Sequence, residues 1–139
     1  MVCDSGLEND VVFVGRVSED EANRYVHFAD CAYLSFKNNK IFNMMIPAKL
    51  QTYLACGTPV LAAAGGETAQ LIASSGCGIV AEQTWESLTE AAREAAAMSP
   101  ERRGQMAAAA RKYYDAHFVM DALVDELLEL MEKETKKQE

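Results

Sequence analysis

Ile46-Pro47-Ala48-Lys49-Leu50-Gln51-Thr52-Tyr53-Leu54-Ala55-Cys56-Gly57-Thr58-Pro59 is the stretch on which the reading of this chain turns. Proline suits the first helical position, where its missing N–H costs nothing, and glycine suits the residue just past a helix end. The stretch therefore predicts a helix opening at Pro47 and closing at Gly57, with Ile46 as its N-cap. Isoleucine has no side-chain acceptor for the free N–H groups of Ala48 and Lys49, a defect of about 0.5–2 kcal/mol against serine or aspartate. Lys49 adds a cation to the positive end of the helix dipole, unfavourable by about 0.3–1 kcal/mol if nothing negative sits there. A bound phosphate removes both defects. Water or a neighbouring loop can also cap such an end, with the lysine reaching into solvent, and the residues alone leave both readings open.

Short apolar runs surround this helix. Val11-Val12-Phe13-Val14, Ala32-Tyr33-Leu34-Ser35, Pro59-Val60-Leu61-Ala62 and Gly78-Ile79-Val80 read as strands that alternate with longer helical patterns. That order predicts an α/β fold: a Rossmann-like parallel sheet of about four strands flanked by helices, with a helical C-terminus. Ser18-Glu19-Asp20-Glu21 is a capping box ahead of Ala22, Tyr25, Val26 and Ala29 at helical spacing. Gly66 opens a helix carrying Leu71 and Ile72, and Thr84 opens one with Trp85, Leu88, Ala92 and Ala95 on one face. Ser99-Pro100 starts a helix that runs towards Tyr113 and Tyr114. A last helix carries Val119, Leu123, Leu127 and Leu130 before a polar tail over residues 133–139, so that helices cover about residues 99–136. Residues 1–10 are polar and read as the loop before an internal strand. The whole of residues 1–139 is thus expected to be one domain that starts partway through a larger one.

Composition narrows the classes. The 139 residues, half of them hydrophobic, suffice for one core that buries roughly two-thirds of the unfolded surface. Thirteen basic against twenty-one acidic residues give a net charge of -8, which argues against nucleic acid or anionic lipid as partners. Any anion site must be local. Cys3, Cys31, Cys56 and Cys77 lack the paired spacing of zinc or redox motifs and read as reduced thiols of a cytoplasmic protein, with no metal site. No run approaches the roughly 18 consecutive apolar residues of a membrane span, and no signal pattern opens the chain.

Ligands of parallel sheets collect beyond the carboxyl ends of the strands, here residues 15–17, 36–45, 63–67 and 81–83. Gly65-Gly66 lets backbone approach a ligand closely, yet it is also an ordinary turn into a helix. Glu67 complements a helix dipole with or without function. Thr52 lies one turn after Lys49, where it can bond a sugar hydroxyl or its own backbone. Arg16 can stack on a base or simply solvate its loop. His27 and His117 fall outside the rim and read as structural. GxGxxG after a strand, a Walker loop and GxSxG are all missing, against dinucleotide oxidoreductase, P-loop and hydrolase readings.

Taken together, Val12-Phe13-Val14-Gly15-Arg16-Val17, the helix from Ala22 with Ala29-Asp30, the Pro47 to Leu61 stretch and Gly65-Gly66-Glu67 resemble the C-terminal half of a family-4, GT-B-fold glycosyltransferase of the kind that builds bacterial surface polysaccharides. The resemblance runs from about residue 10 to residue 80 and more weakly beyond. It implies half of a two-domain architecture: the donor-binding part of a retaining enzyme that moves sugar from a UDP- or GDP-linked nucleotide sugar to a glycan or lipid-linked acceptor. By that resemblance Gly15, Arg16 and Val17 lie near the base, Lys49 near the diphosphate, Thr52 near the ribose, and Gly65, Gly66 and Glu67 at the phosphate or sugar. The catalytic residues are not assigned, and the nucleotide sugar enters as substrate with no further cofactor. An N-terminal acceptor domain is the expected partner, the parent enzyme sits at the inner membrane face through its lipid-linked acceptor, and this stretch alone is expected to be inactive. One departure stands out, because the family's E-x7-E acids would fall at Met44 and Thr52, neither of them acidic. A rival reading is a non-catalytic α/β interaction module that docks a partner through its C-terminal helices, with a footprint on residues 118–131. A receiver-type phosphorylation domain is disfavoured, since no acidic pair follows the first strand.

Overall fold

The computed structural model describes residues 2–136. Three parallel strands, β1 (Ala32–Ser35), β2 (Val60–Ala63) and β3 (Gly78–Ala81), form a sheet in the order β1-β2-β3, with Ala32 opposite Val60 and Val60 opposite Gly78. Parallel neighbours require crossovers, and α3 (Ala48–Ala55) and α4 (Gly66–Ser75) supply them. Around them stand α1 (Glu19–Phe28), α2 (Lys40–Asn43), α5 (Trp85–Ala96), α6 (Pro100–His117) and α7 (Met120–Lys136).

The central strand explains the layering. All four residues of β2 are buried, as expected of a strand covered on both faces. Val60 and Ala62 pack with Leu34, Leu50, Leu54, Leu71, Ile72 and Ala110, the layer made by α3, α4 and α6. Leu61 packs on the other face with Ile79, Ala91 and Met98 beside α5. The strands also run close, because a Cβ on Gly78 would sit 2.0 Å from the Val60 carbonyl oxygen.

Helix ends follow the expected chemistry. Ser18, Thr84 and Ser99 each accept a backbone N–H of the first turn, and Pro100 occupies the opening position of α6. The α3 C-terminus is a Schellman turn: Gly57 has φ 65°, its N–H donates to Leu54, and the Thr58 N–H donates to Tyr53.

Four expectations need correction. Val11-Val12-Phe13-Val14 is not a strand; the segment is irregular, with Val12 79% and Phe13 78% exposed. An apolar run becomes a strand only where a neighbour completes its ladder, and among the described residues none lies alongside it. Among the described residues the sheet thus has three strands rather than four. Second, α3 opens one residue later than expected, with Pro47 as N-cap and Ala48 as first helical residue. Third, the inner face of α5 runs through Leu88, Ala91 and Ala95, while Trp85 is 81% exposed and Ala92 is exposed. Alanines all along this helix make the true stripe ambiguous by one residue. Fourth, the apolar side chains Leu123, Leu127 and Leu130 of α7 are exposed among the described residues. Of the polar tail, residues 133–136 are helical and residues 137–139 lie outside the described ones.

No helix among the described residues is long and apolar enough to cross a membrane. The four cysteines are free thiols, Cys77 buried, Cys31 and Cys56 half-buried and Cys3 exposed. Burial pushes the thiols of Cys31, Cys56 and Cys77 above the ordinary range.

Candidate functional site

The two ends of α3 are treated very differently. At its carboxyl end the Ala55 carbonyl accepts from Arg111 Nη1 at 2.9 Å, and His27 Nδ1 lies 3.2 Å from the Cys56 carbonyl oxygen, a donor placed on it. Arg111 is held there by Asp115, four residues on in α6. Donors at the negative end of a helix are favourable. At the amino end Pro47 contributes no side-chain cap. Among the described residues, the Leu50 N–H turns back to the Pro47 carbonyl, whereas the Ala48 and Lys49 N–H groups have no protein acceptor. The uncapped first turn inferred from sequence is present, displaced by one residue, and proline replaces isoleucine as the cap that cannot cap.

Pro47, Ala48 and Lys49 border an open cavity of about 370 Å³ along β1, together with Tyr33, Ser35 and Tyr53. Among the described residues Lys49 has no ion-pair partner, and it is exposed. The cavity thus combines an ammonium, two free backbone donors and three hydroxyls, a donor-rich lining suited to an anion. Partial burial pushes the Tyr53 phenol above its ordinary range, which keeps it a neutral donor.

Thr52 does not share this cavity. Its Oγ1 donates to Ala48 O at 3.4 Å, and its side chain borders a separate depression with Glu19, Asn23, Gln51 and Tyr114. Lys49 lies on the β1 side of α3 with Tyr53, one turn on, and Thr52 on the α1 side. A 3.6-residue period turns residues three apart by about 60° in angle, enough to put them over different neighbours.

Beyond the strands the rim loops are stitched together. The Phe36 N–H donates to Ala63 O at 3.1 Å, and Gln83 Nε2 donates to Phe36 O at 3.0 Å. The segment 36–45 contains α2, capped by Asn39, whose side chain accepts from the Phe42 N–H at 2.9 Å. Gly65-Gly66 faces protein at the positions that matter: a Cβ on Gly66, φ 62°, would fall 1.9 Å from the Asn43 carbonyl oxygen, and one on Gly65 would meet Asn43 Oδ1 at 3.0 Å. The glycine pair therefore lets α4 approach the end of α2. Asn43 Oδ1 is buried there and has no hydrogen-bond partner among the described residues. Glu67 is exposed in the first turn of α4, whose N-cap Gly65 offers no side chain either.

Gly15, with φ 71° and open space around it, Arg16 and half-buried Val17 lie in the exposed segment before α1. None of the hydrogen bonds or ion pairs among the described residues joins residues 15–17 to the α3 terminus or the Gly65-Gly66 turn. His27 caps α3 and His117 packs on Tyr113 at 4.3 Å between ring centroids, both structural roles. Asn43, Tyr53 and the buried Thr68 belong to the rim although sequence reasoning passes over them; only Asn39, a cap residue after a polar run, hints at α2. Among the described residues no group of three or more His, Cys, Asp or Glu could hold a metal ion.

The fold is similar to that of sucrose-phosphate synthase from Thermosynechococcus elongatus, with a TM-score of 0.77 at 20% identity. The similarity covers 98% of this chain and 33% of that one, so the chain spans about a third of the length of its structural neighbour. It places the sheet and its helices in the Rossmann-like half of a GT-B architecture. No curated protein sequence matches the chain significantly. The family model described as glycosyl transferases group 1 matches residues 2–113, well over half of the chain, and the chain belongs to that family.

Proposed function

We propose that this chain is the donor-binding part of a retaining glycosyltransferase of the family-4, surface-polysaccharide type, and that the amino end of α3 with Lys49 receives the diphosphate of a UDP- or GDP-linked sugar. One observation carries the reading. The α3 helix has donors built onto its carboxyl end, whereas among the described residues its Ala48 and Lys49 N–H groups have no protein acceptor and Lys49, beside a donor-lined cavity, has no ion-pair partner. A diphosphate accepts from the Ala48 and Lys49 amides and pairs with the ammonium. When the glycosidic bond to the sugar breaks, negative charge grows on the leaving diphosphate, and fixed N–H dipoles plus a cation stabilise it without reorganising.

The remaining assignments follow the family resemblance: Arg16 with Gly15 and Val17 beside the base, Gly65, Gly66 and Glu67 towards phosphate or sugar, Thr52 at the ribose. Thr52 would have to exchange its bond to Ala48 for one to the ribose, and Met44 leaves the first family acid unreplaced. The acceptor belongs to a second domain, so residues 1–139 alone bind nucleotide weakly and transfer little sugar, half of the reacting geometry being elsewhere. A glycan or lipid-linked acceptor at a membrane face and a cytoplasmic location belong to the same reading.

Calorimetric titration of UDP, GDP and their sugars into the chain and into its Lys49→Ala variant tests it. Diphosphates bind the parent with Lys49→Ala weakened about tenfold, roughly the worth of one charge-assisted contact. Equal binding by both proteins removes Lys49 from the role. A second reading, docking of a partner by the C-terminal helices, is favoured by the exposed Leu123, Val124, Leu127 and Met131 of α7. It predicts a partner footprint on residues 118–131 and no nucleotide binding.

A further inference from the structure

We infer that Thr68 is a positioning residue for the amino end of α3, acting through the segment 43–46; the inference rests on the anion-binding reading of that end. Thr68 stands in the first turn of α4 and is fully buried. Its Oγ1 donates to the Met45 carbonyl oxygen at 2.8 Å, two residues ahead of the Pro47 N-cap. Little else holds residues 44–46. Met44 is 79% exposed, and Met45 and Ile46 are 40% and 38% exposed, so burial holds them only in part. Pro47 has no N–H with which to anchor itself. Besides the Thr68 bond, the Met44 N–H donates to Ile41 O, and among the described residues no further hydrogen bond engages residues 44–46.

Gly66 supplies the second half of the device. Its backbone lies so close to Asn43 that a Cβ would overlap the carbonyl oxygen, carbon and Cα of that residue at 1.9–2.7 Å. The start of α4 therefore grips the chain at Asn43 and again at Met45. Beyond those two grips the chain enters α3 directly through Pro47. Buried Leu50 and Leu54 anchor the body of α3, and this grip fixes the chain that leads into its first turn, where the Ala48 and Lys49 N–H groups lie.

The fold contains its own control. Thr58 is equally buried and donates from Oγ1 to Val26 O, also at 2.8 Å, but it ties α1 to the turn after α3, at the other end of the helix. Thr58→Val and Thr68→Val thus delete the same chemistry from two places. The chain and the variants Thr68→Val, Thr68→Ser and Thr58→Val are compared by thermal midpoint, by pyrophosphate titration and by amide hydrogen exchange. Both valine variants lower the midpoint by a similar amount. Only Thr68→Val raises the pyrophosphate Kd, by tenfold or more, and speeds exchange at Asn43, Met44 and Leu50; Thr68→Ser restores both. Binding and exchange that change no more in Thr68→Val than in Thr58→Val overturn the role. If the parent chain itself binds no pyrophosphate, the anion-binding reading fails, and exchange alone then decides Thr68: acceleration confined to those three amides supports the grip and its absence rejects it. Should Thr68→Val not fold, Thr68→Ala and Thr58→Ala form the matched pair and carry the same comparison.

Discussion

Gly66→Ala measures how firmly α4 holds the loop ahead of α3. Gly66 has φ 62°, and the nearest atoms to an added methyl are all backbone of Asn43, the carbonyl oxygen at 1.9 Å. A backbone neighbour cannot rotate away as a side chain can. Gly76 separates the two contributions, because it has φ 70° at the end of α4 and nothing within 4 Å of the added carbon. Alanine at Gly76 costs the left-handed conformation alone, about 1–2 kcal/mol. At Gly66 the same conformational cost is joined by overpacking of about 1–3 kcal/mol, giving about 2–5 kcal/mol in all. Urea unfolding of the parent and both variants, with m-values compared to exclude changes in the denatured state, provides the difference. Gly66→Ala should lose at least about 1 kcal/mol more than Gly76→Ala, this being the low end of the overpacking range. Equal losses would show that Asn43 yields freely and that the contact with α4 imposes nothing on the loop.

Leu54 is fully buried between β2 and α6, and Leu54→Ala should lower unfolding free energy by about 3 kcal/mol in the same urea assay, as cavities of that kind do. Thiol labelling at pH 8 should modify exposed Cys3 first and Cys77 last, since Cys77 is buried and burial pushes its thiol pKa up, leaving less thiolate; mass spectrometry of partially labelled protein gives the order. Removing residues 120–139 should leave the thermal midpoint within about 2 °C of the parent, because surface groups outside the core contribute little and the described apolar side chains of α7 are exposed. A large fall in the midpoint would mean that α7 completes the core in solution.

Why some of this is legible in the sequence and some is not has a physical basis. The helix Ala48–Ala55 announces itself through Pro47 and Gly57, two residues whose backbone constraints act locally, and its uncapped end can be read because capping is a matter of a few adjacent side chains. Its start falls one residue later than the proline suggests, since proline is tolerated at the N-cap as well as at the first turn. Val11-Val12-Phe13-Val14 has the composition of a strand, but strand formation is decided by a partner that composition does not reveal. The separation of Lys49 from Thr52 depends on which neighbours α1 and β1 place beside α3. Most hidden is the meeting of Thr68 and Gly66 with residues 43–45. That contact joins two crossovers, and nothing local in either marks it.

The Ala48 and Lys49 amides can be followed directly in ¹⁵N-labelled chain titrated with UDP or GDP. If a diphosphate binds there, the Ala48 and Lys49 N–H resonances move furthest, in step with saturation, and inorganic pyrophosphate reproduces the movement without the base. Shifts confined to other parts of the chain, with these two resonances unmoved at saturating nucleotide, would contradict diphosphate binding there.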